Sequence, residues 1–247
     1  MVKQTILFPL NNSEFIKVVS NSFNEFINCG TSRSTAKLKP LHGAIAKDLL
    51  DKLGNGYGIL SQGFFNEKGK DPEGNIKGRY IDKKVDITIT KDGKSIAGVG
   101  VKFVMQNYSQ NSNNYFENML GETANIRCNK CPYFQIFIIL DKLPYYNKAK
   151  QIQKWETFTA HNAAKYLTLS QDNIDTFFHT PNKTLIYIVH IPENENLTTL
   201  DNYMYYYKKL NFQVTQSQNS LGSYGNAIII NDYELFREKV YHTINAL

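Results

Sequence analysis

The sequence predicts an α/β (α+β) fold without internal repeats, and three observations support this. Tyr133–Leu140 is too uniformly apolar for a surface strand and predicts a buried central strand. Two strand-like apolar runs flank Asp92 and Gly93, a pair that favours the tight turn of a β-hairpin. Segments near both ends of the chain carry apolar residues at helical spacing, which predicts helices beside the strands.

The N-terminal elements follow from periodicity and capping residues. Apolar side chains recur at helical spacing behind Ser13, which predicts an amphipathic helix over residues 13–27. Residues 42–53 predict a second helix that ends at Gly54. Residues 57–62 then predict a strand.

The remaining elements surround the hairpin and the central strand. The Gly- and Lys-rich run over residues 63–78 predicts a long loop. Residues 155–169 predict a helix, residues 184–191 predict a core strand, and residues 232–247 predict a final amphipathic helix.

Length and charge suggest one domain with a polyanionic partner. With 247 residues and 42% hydrophobic content, the chain can bury one substantial core, so we expect a single domain over residues 1–247. The 28 Lys and Arg against 22 Asp and Glu give a net charge of +6. A basic surface suits DNA because phosphate contacts release counterions. A composition set by an AT-rich genome is the alternative explanation.

The lack of a recognisable targeting or membrane segment, together with the small number of cysteines, predicts a cytoplasmic protein with no membrane partner. No segment approaches the roughly 18 apolar residues of a membrane span. Three cysteines fit a reducing compartment better than a disulfide framework. Cys128 and Cys131 have the spacing of half a zinc site, and a pair of reduced thiols is the alternative.

The chemistry centres on one acid and one base. Asp86 lies in a β-branched apolar run, and Lys102 lies in the run beyond the predicted turn. Neighbouring strands can bring the two side chains together at one edge of a sheet. A carboxylate that binds Mg²⁺, beside a lysine that orients an attacking hydroxide, suits phosphodiester hydrolysis. A solvent-exposed ion pair is the alternative.

Asp86, followed by Gly100-Val101-Lys102 and then by a helix, resembles the PD-(D/E)XK nuclease superfamily, most of all the type II restriction endonucleases. The resemblance covers about residues 78–140. It implies a restriction-endonuclease-like core, with a central mixed β-sheet flanked by helices. It also implies a Mg²⁺ cofactor and products with 5′-phosphates. In some relatives an acid on an upstream helix joins the metal site, which makes Asp48, otherwise a surface charge, a minor candidate.

Gly100 departs from the family pattern, which has Glu or Asp two residues before the lysine. In a subgroup of restriction endonucleases this acid has moved to the following helix, predicted here to begin near Ser112. Glu117 lies 117 − 102 = 15 residues after Lys102 and is the preferred catalytic residue and metal ligand, with Glu122 as second choice. The Val101 carbonyl is a further metal ligand. A natural loss or an engineered removal of the acid is the alternative.

Two groups of residues are predicted to bind DNA. An amide-rich loop after Lys102 suits base edges or phosphates, although its amides could equally cap the next helix. Basic residues in two loops could grip phosphates, and plain solvated linkers are the alternative. The predicted DNA contacts are Asn107, Ser109, Gln110, Asn111, Asn113, Arg33, Lys37, Lys70 and Arg79.

The expected function is therefore that of a type II restriction endonuclease acting on double-stranded DNA. The class implies a homodimer, because a palindrome is matched by two-fold protein symmetry, and a cognate DNA methyltransferase for the same site. A structure-directed or repair nuclease with the same core is one alternative. A DNA-binding member inactivated by Gly100 is another, and a protein with a mere surface pair of Asp86 and Lys102 is a third.

Overall fold

The structure, a computed structural model, describes residues 4–30, 35–65, 72–218 and 221–247. Besides a short 3₁₀ turn at Thr35–Lys37, six helices lie in these ranges: α1 (Asn12–Cys29), α2 (Lys39–Leu53), α3 (Tyr108–Arg127), α4 (Ala160–Ser170), α5 (Leu200–Lys209) and α6 (Tyr233–Asn245). The strands in the same ranges are β1 (Tyr57–Ser61), β2 (Gly74–Ile76), β3 (Lys83–Val85), β4 (Ile87–Lys91), β5 (Lys94–Val104), β6 (Tyr133–Leu140), β7 (Lys142–Tyr146), β8 (Ile152–Thr157), β9 (Lys183–His190), β10 (Thr215–Gln216) and β11 (Ile228–Ile230).

Seven strands form one mixed sheet in the order β1-β4-β5-β6-β9-β10, and β11 also pairs with β9. The strands β1, β4 and β5 are antiparallel neighbours, whereas β5, β6 and β9 run parallel. Two short antiparallel pairs, β2 with β3 and β7 with β8, lie outside this sheet. The prediction of a central mixed sheet is confirmed.

Side chains of β6 alternate between two helical layers, because successive residues of a strand point to opposite faces. Phe134 packs edge-on against Phe236 of α6, with 6.3 Å between the ring centroids. Phe137 contacts Tyr166 of α4 on the other face, with 5.5 Å between centroids. Tyr166 also contacts Phe116 of α3. Helices therefore cover both faces of the central strand, which is buried along its whole length.

The predicted hairpin forms β4 and β5. Asp92 and Gly93 have φ angles of 51° and 74°, the positive values that a tight primed turn requires. Ile87 pairs with Val99 across the hairpin. Continuing this register places Asp86 opposite Gly100. Because the pairing shifts by one residue between Ile89 and Thr90, the turn and this shift together set the alignment of the candidate site.

A small second core joins the β2–β3 pair to α3. It consists of Ile76, Val85, Ile126 and Tyr133, all buried. Because Val85 is the last residue of β3 and precedes Asp86, this core fixes the chain where it enters the candidate site.

Three predicted helix boundaries are wrong. Helix α2 begins at Lys39, three residues before His42. Trp155 lies in β8, which pairs with β7, and α4 begins only at Ala160 behind a capping box at Thr159. Helix α3 begins at Tyr108, four residues before Ser112. Periodicity cannot separate a short strand from a first helical turn, so pairing with β7 decided the conformation of Trp155.

Asp48 is buried, with 1% of its surface exposed, and is not a surface charge. It accepts hydrogen bonds from the Leu10 N–H at 2.7 Å and the Tyr233 hydroxyl at 2.9 Å. Nη1 of Arg237, in α6, lies 3.4 Å from Oδ1 of Asp48. Asp48 therefore ties α2 to α6 and to the N-terminal segment.

None of the helices in the described part of the chain is long and apolar enough to cross a membrane.

Candidate active site

A cavity of about 160 Å³ opens where the β4–β5 hairpin, α3 and β6 meet. Polar side chains from three elements face it, and its walls include Asp86, Gly100, Lys102, Glu122, Tyr133 and Gln135. The structure thus brings the predicted acid and base together, with one of the two glutamates considered from the sequence.

Asp86 occupies the break between β3 and β4. Its Oδ2 accepts a hydrogen bond from the Val101 N–H at 2.7 Å, and its backbone carbonyl accepts one from the Ser61 hydroxyl at 2.8 Å. Burial raises the pKa of Asp86 to about 6; the Val101 hydrogen bond opposes this rise, and the charge of Glu122 adds to it. Two carboxylates held close in a partly buried cavity repel each other, and a bound cation would relieve that repulsion.

Lys102 projects from β5 into the same cavity. Its Nζ lies 4.2 Å from the centroid of the Tyr115 ring, within the range of a cation–π contact. Burial lowers the pKa of Lys102, and the charge of Asp86 opposes this shift. The pKa of nearby Lys37 is lowered to about 8, first by burial and then by repulsion from Lys102.

Helix α3 turns one face to the cavity. Tyr115, Met119 and Glu122 line it at positions i, i+4 and i+7, which is the spacing of one helical face. Glu117 follows Tyr115 by two residues, about 200° further around the helix, and is exposed. Its charge opposes the lowering of the Lys165 pKa by burial. The structure therefore places Glu122 in the cavity and does not bring Glu117 there.

The Glu122 carboxylate is held from two sides. The Tyr133 hydroxyl donates a hydrogen bond to its Oε1 at 2.6 Å. The Nζ of Lys83, at the start of β3, lies 3.1 Å from its Oε2. These contacts fix the direction of the carboxylate before any ligand binds.

Gly100 is a glycine for a steric reason. A Cβ at this position would overlap with the Tyr133 hydroxyl and would lie 2.7 Å from Gln135 Oε1. Real Cβ atoms essentially never approach other atoms so closely, and Tyr133 is only 1% exposed, so its ring has little room to move. The positions of Tyr133 and Gln135 in the site therefore require a residue without a side chain at position 100.

Tyr133 and Gln135 are cavity residues that sequence reasoning missed. Both lie in the apolar run of β6 and were hidden by its hydrophobic character. Gly100 pairs with Gln135 in the parallel register of β5 and β6. The available signal was the presence of two polar groups at alternate positions of a buried strand, but using it requires knowing that β6 lies beside β5.

The oxygen atoms around the cavity suit Mg²⁺. The donors are the carboxylates of Asp86 and Glu122 and the Gln135 amide oxygen. Val101, whose carbonyl is the further ligand expected from the sequence, also lines the cavity. Mg²⁺ prefers oxygen ligands, keeps several waters and often binds through only one or two carboxylates. Within the described ranges, no three His, Cys, Asp or Glu side chains gather into a metal-binding group, and this includes the surroundings of Cys128 and Cys131.

The amide-rich segment is mostly the first turn of α3 and not a loop. Asn107 Nδ2 donates to the Tyr146 carbonyl at 3.0 Å, and its Oδ1 accepts from the Tyr146 N–H at 2.8 Å. Ser109 hydrogen-bonds to the Glu156 carboxylate through its backbone and its hydroxyl. These contacts fix the start of α3 against the β7–β8 pair.

The other amides of this segment are divided between internal contacts and solvent. Asn111 Nδ2 donates to the Asn107 carbonyl at 3.2 Å, and Lys165 donates to Asn113 Oδ1 at 3.2 Å. Gln110 and Asn113 are exposed. Of the predicted DNA contacts in this segment, Ser109, Gln110 and Asn113 therefore present much of their surface to a ligand.

The predicted phosphate contacts have different surroundings. Lys37 is buried, at 8% exposure, and stands beside the cavity, whereas Arg79 is exposed in the connection between β2 and β3. Arg33 and Lys70 lie outside the described residues.

Comparison of the chain with protein-family models, with curated proteins and with solved structures found no match.

Proposed function

We propose that this chain is a Mg²⁺-dependent endonuclease of the type II restriction class and the PD-(D/E)XK superfamily, which cleaves double-stranded DNA. The observation that carries the proposal is the meeting of Asp86, Lys102 and Glu122 in one cavity. In this proposal Glu122 takes the role of the acid that the family pattern has on the strand, at the position of Gly100.

The order of elements supports the proposal. Asp86 directly precedes β4, Lys102 lies on the adjacent β5, and α3 follows and returns the chain to the parallel strand β6. This is the order in which the family pattern has its acid, its lysine and the helix that packs on the sheet.

The packing at Gly100 favours a relocated carboxylate over a lost one. A recently removed acid would leave space at position 100, but the Tyr133 hydroxyl fills that space and binds Glu122. Two carboxylates and a lysine still face the cavity, so the alternative of an inactive DNA-binding member has less support.

The side chains have distinct roles in this proposal. Asp86, Glu122 and the Val101 carbonyl would hold Mg²⁺, which supplies a Lewis acid and lowers the pKa of an attacking water. Lys102, half-buried in the same cavity as Asp86, would position the attacking hydroxide and stabilise its negative charge. Tyr133 keeps Glu122 directed at the cavity, and cleavage leaves a 5′-phosphate.

The proposal includes the partners that the class implies. A homodimer would read a palindromic site, because two-fold DNA is matched by two-fold protein. A cognate DNA methyltransferase would protect the same site.

The first test compares Glu122→Gln with Glu117→Gln, two equal changes on the same helix. Purified proteins are incubated with long unmethylated phage DNA in Mg²⁺ buffer, with EDTA as the control. We expect discrete fragments from the unchanged protein and from Glu117→Gln. We expect a loss of about a hundredfold or more for Glu122→Gln, because a metal ligand matters at least as much as the groups that orient it.

Three results would count against this assignment. Loss of activity in Glu117→Gln with retention in Glu122→Gln would return the relocated acid to position 117. Smeared products would indicate a structure-directed or nonspecific nuclease. An absence of any Mg²⁺-dependent cleavage by the unchanged protein would remove the nuclease proposal itself.

A further inference from the structure

The connection between β2 and β3 exposes two large apolar side chains next to each other. Tyr80 is 82% exposed and Ile81 is 62% exposed. Four basic residues and one acid accompany them within residues 77–84, the basic ones being Lys77, Arg79, Lys83 and Lys84. We call residues 77–84 the basic tip. Its combination of apolar and cationic side chains suits a ligand with both flat apolar surfaces and negative charge.

The backbone of the basic tip is fixed although its side chains point outward. The buried Asn125 of α3 accepts hydrogen bonds through Oδ1 from the Tyr80 N–H at 2.9 Å and the Ile81 N–H at 3.3 Å. Its Nδ2 donates to the Ile81 carbonyl at 2.8 Å, and its own carbonyl accepts from the Arg79 N–H at 2.7 Å. Asn129 Nδ2 adds a bond to the Lys77 carbonyl at 2.8 Å. An exposed ring on so well held a loop loses little conformational entropy on binding.

The basic tip also stands beside the candidate active site. Lys83 contacts the Glu122 carboxylate at 3.1 Å, and β3 leads through Val85 directly to Asp86. A phosphate that enters the cavity therefore brings the neighbouring nucleotides close to Tyr80 and Ile81.

We propose that Tyr80 and Ile81 form a wedge that inserts against the bases of bound double-stranded DNA, while Lys77, Arg79 and Lys84 of the basic tip contact phosphates. Apolar wedges of this kind unstack base steps and bend the duplex, and aromatic side chains stack on any base. This inference rests on the proposed function and names the part of the substrate that the basic tip contacts. The wedge adds binding surface. Because some base steps unstack more easily than others, it also makes affinity depend on the sequence at that step.

The test uses the full chain and a duplex that carries the cleavage site mapped on phage DNA. The double variant Tyr80→Ala and Ile81→Ala is compared with Tyr205→Ala, which removes a 62% exposed tyrosine from α5. Affinity is measured by fluorescence anisotropy in EDTA. Base unstacking is measured by permanganate oxidation of thymines. This signal depends on insertion of the wedge, whereas affinity also depends on the phosphate contacts of the basic residues.

We expect the double variant to bind about tenfold or more weakly and to lose the reactive thymines. Tyr205→Ala should behave like the unchanged protein, and Tyr80→Phe, which keeps the ring, should retain both signals. Arg79→Ala should weaken binding and flatten its salt dependence while the thymines stay reactive.

Unchanged affinity and thymine reactivity in the double variant, in a protein that still cuts DNA, would overturn the wedge and leave the nuclease proposal intact. A double variant that alters the oligomeric state in sedimentation, with thymine reactivity unchanged, would make the basic tip a self-association surface and also overturn it. An unchanged protein that neither binds nor cleaves DNA would remove both proposals.

Discussion

Tyr133 links the two residues that set this site apart, the glycine at position 100 and the glutamate at position 122. Its hydroxyl occupies the space of a side chain at position 100 and donates a hydrogen bond to Glu122. Burial raises the pKa of Tyr133 well above its usual value, with the charge of Glu122 adding to the effect. The hydroxyl therefore stays protonated at neutral pH and remains a donor to the carboxylate.

Removing only this hydroxyl, in Tyr133→Phe, should weaken Mg²⁺ binding by about ten- to a hundredfold, because Glu122 loses one of the two groups that orient it. Mg²⁺ titration by calorimetry measures the affinity, and the Mg²⁺ dependence of cleavage should shift to higher concentration by the same factor. Tyr203→Phe is the matched control, since Tyr203 is also fully buried but lies outside the cavity. Equal Mg²⁺ affinity in all three proteins would limit Tyr133 to a packing role.

At the scale of the element, helix α3 shows how much of the site the sequence could predict. The hairpin alone could place Asp86 and Lys102 on adjacent strands. Their alignment also depends on the register shift between Ile89 and Thr90, which the turn residues do not predict. The choice between Glu117 and Glu122 could not be made by counting from Lys102. It depends on which face of α3 meets the sheet, and the contact of Phe116 with Tyr166 of α4 is part of that packing.

The elements that were predicted well are those whose hydrophobic pattern is compatible with only one type of secondary structure. The eight-residue apolar run of β6 and the apolar faces of α1 and α6 agree with the structure. β8 was missed because its conformation depends on pairing with β7. Tyr133 was missed for a similar reason, since its role depends on the order of strands in the sheet.

Substitution by alanine should change the free energy of unfolding in opposite directions at Gly93 and at Gly121. Gly93→Ala should lower the free energy of unfolding by about 1 kcal/mol, because Gly93 has a φ angle of 74° in the hairpin turn. Gly121→Ala in α3 should raise it by about 0.5–1 kcal/mol, because no atom of the described ranges lies within 4 Å of a Cβ there and alanine favours the helix. Urea unfolding of the two variants gives both values. A change of the same sign in both would contradict the conformations assigned here.

At the scale of the whole molecule, His42 should make stability depend on pH. Only 2% of this residue of α2 is exposed, and neither ring nitrogen has a hydrogen-bond partner among the described residues. Burial lowers the pKa of His42 to about 4, and the charge of Glu73 opposes this shift only in part. The folded protein therefore keeps the imidazole neutral over a range where the unfolded chain protonates it.

The unfolded state binds more protons between the unfolded pKa of about 6.5 and the folded pKa, so stability falls as pH is lowered through this window. The loss should reach about 3 kcal/mol by pH 4. Urea unfolding at pH 7.5 and pH 4.5 measures it, with His42→Leu as the comparison. Asp48 and Asp86 have raised pKa values and act in the opposite direction, so the difference between the two proteins isolates the histidine. Equal losses in both proteins would show that His42 does not titrate in this way.

The overlap between position 100 and Tyr133 also restricts how such a site can change during evolution. An acid introduced at position 100 collides with the buried ring, and loss of the tyrosine alone deprives Glu122 of one of its two donors. Neither single substitution converts this arrangement into one with the acid on the strand, so the route requires paired changes at the two positions. Sequences related to this one should accordingly show positions 100 and 133 varying together, with a bulky residue at one and a small residue at the other.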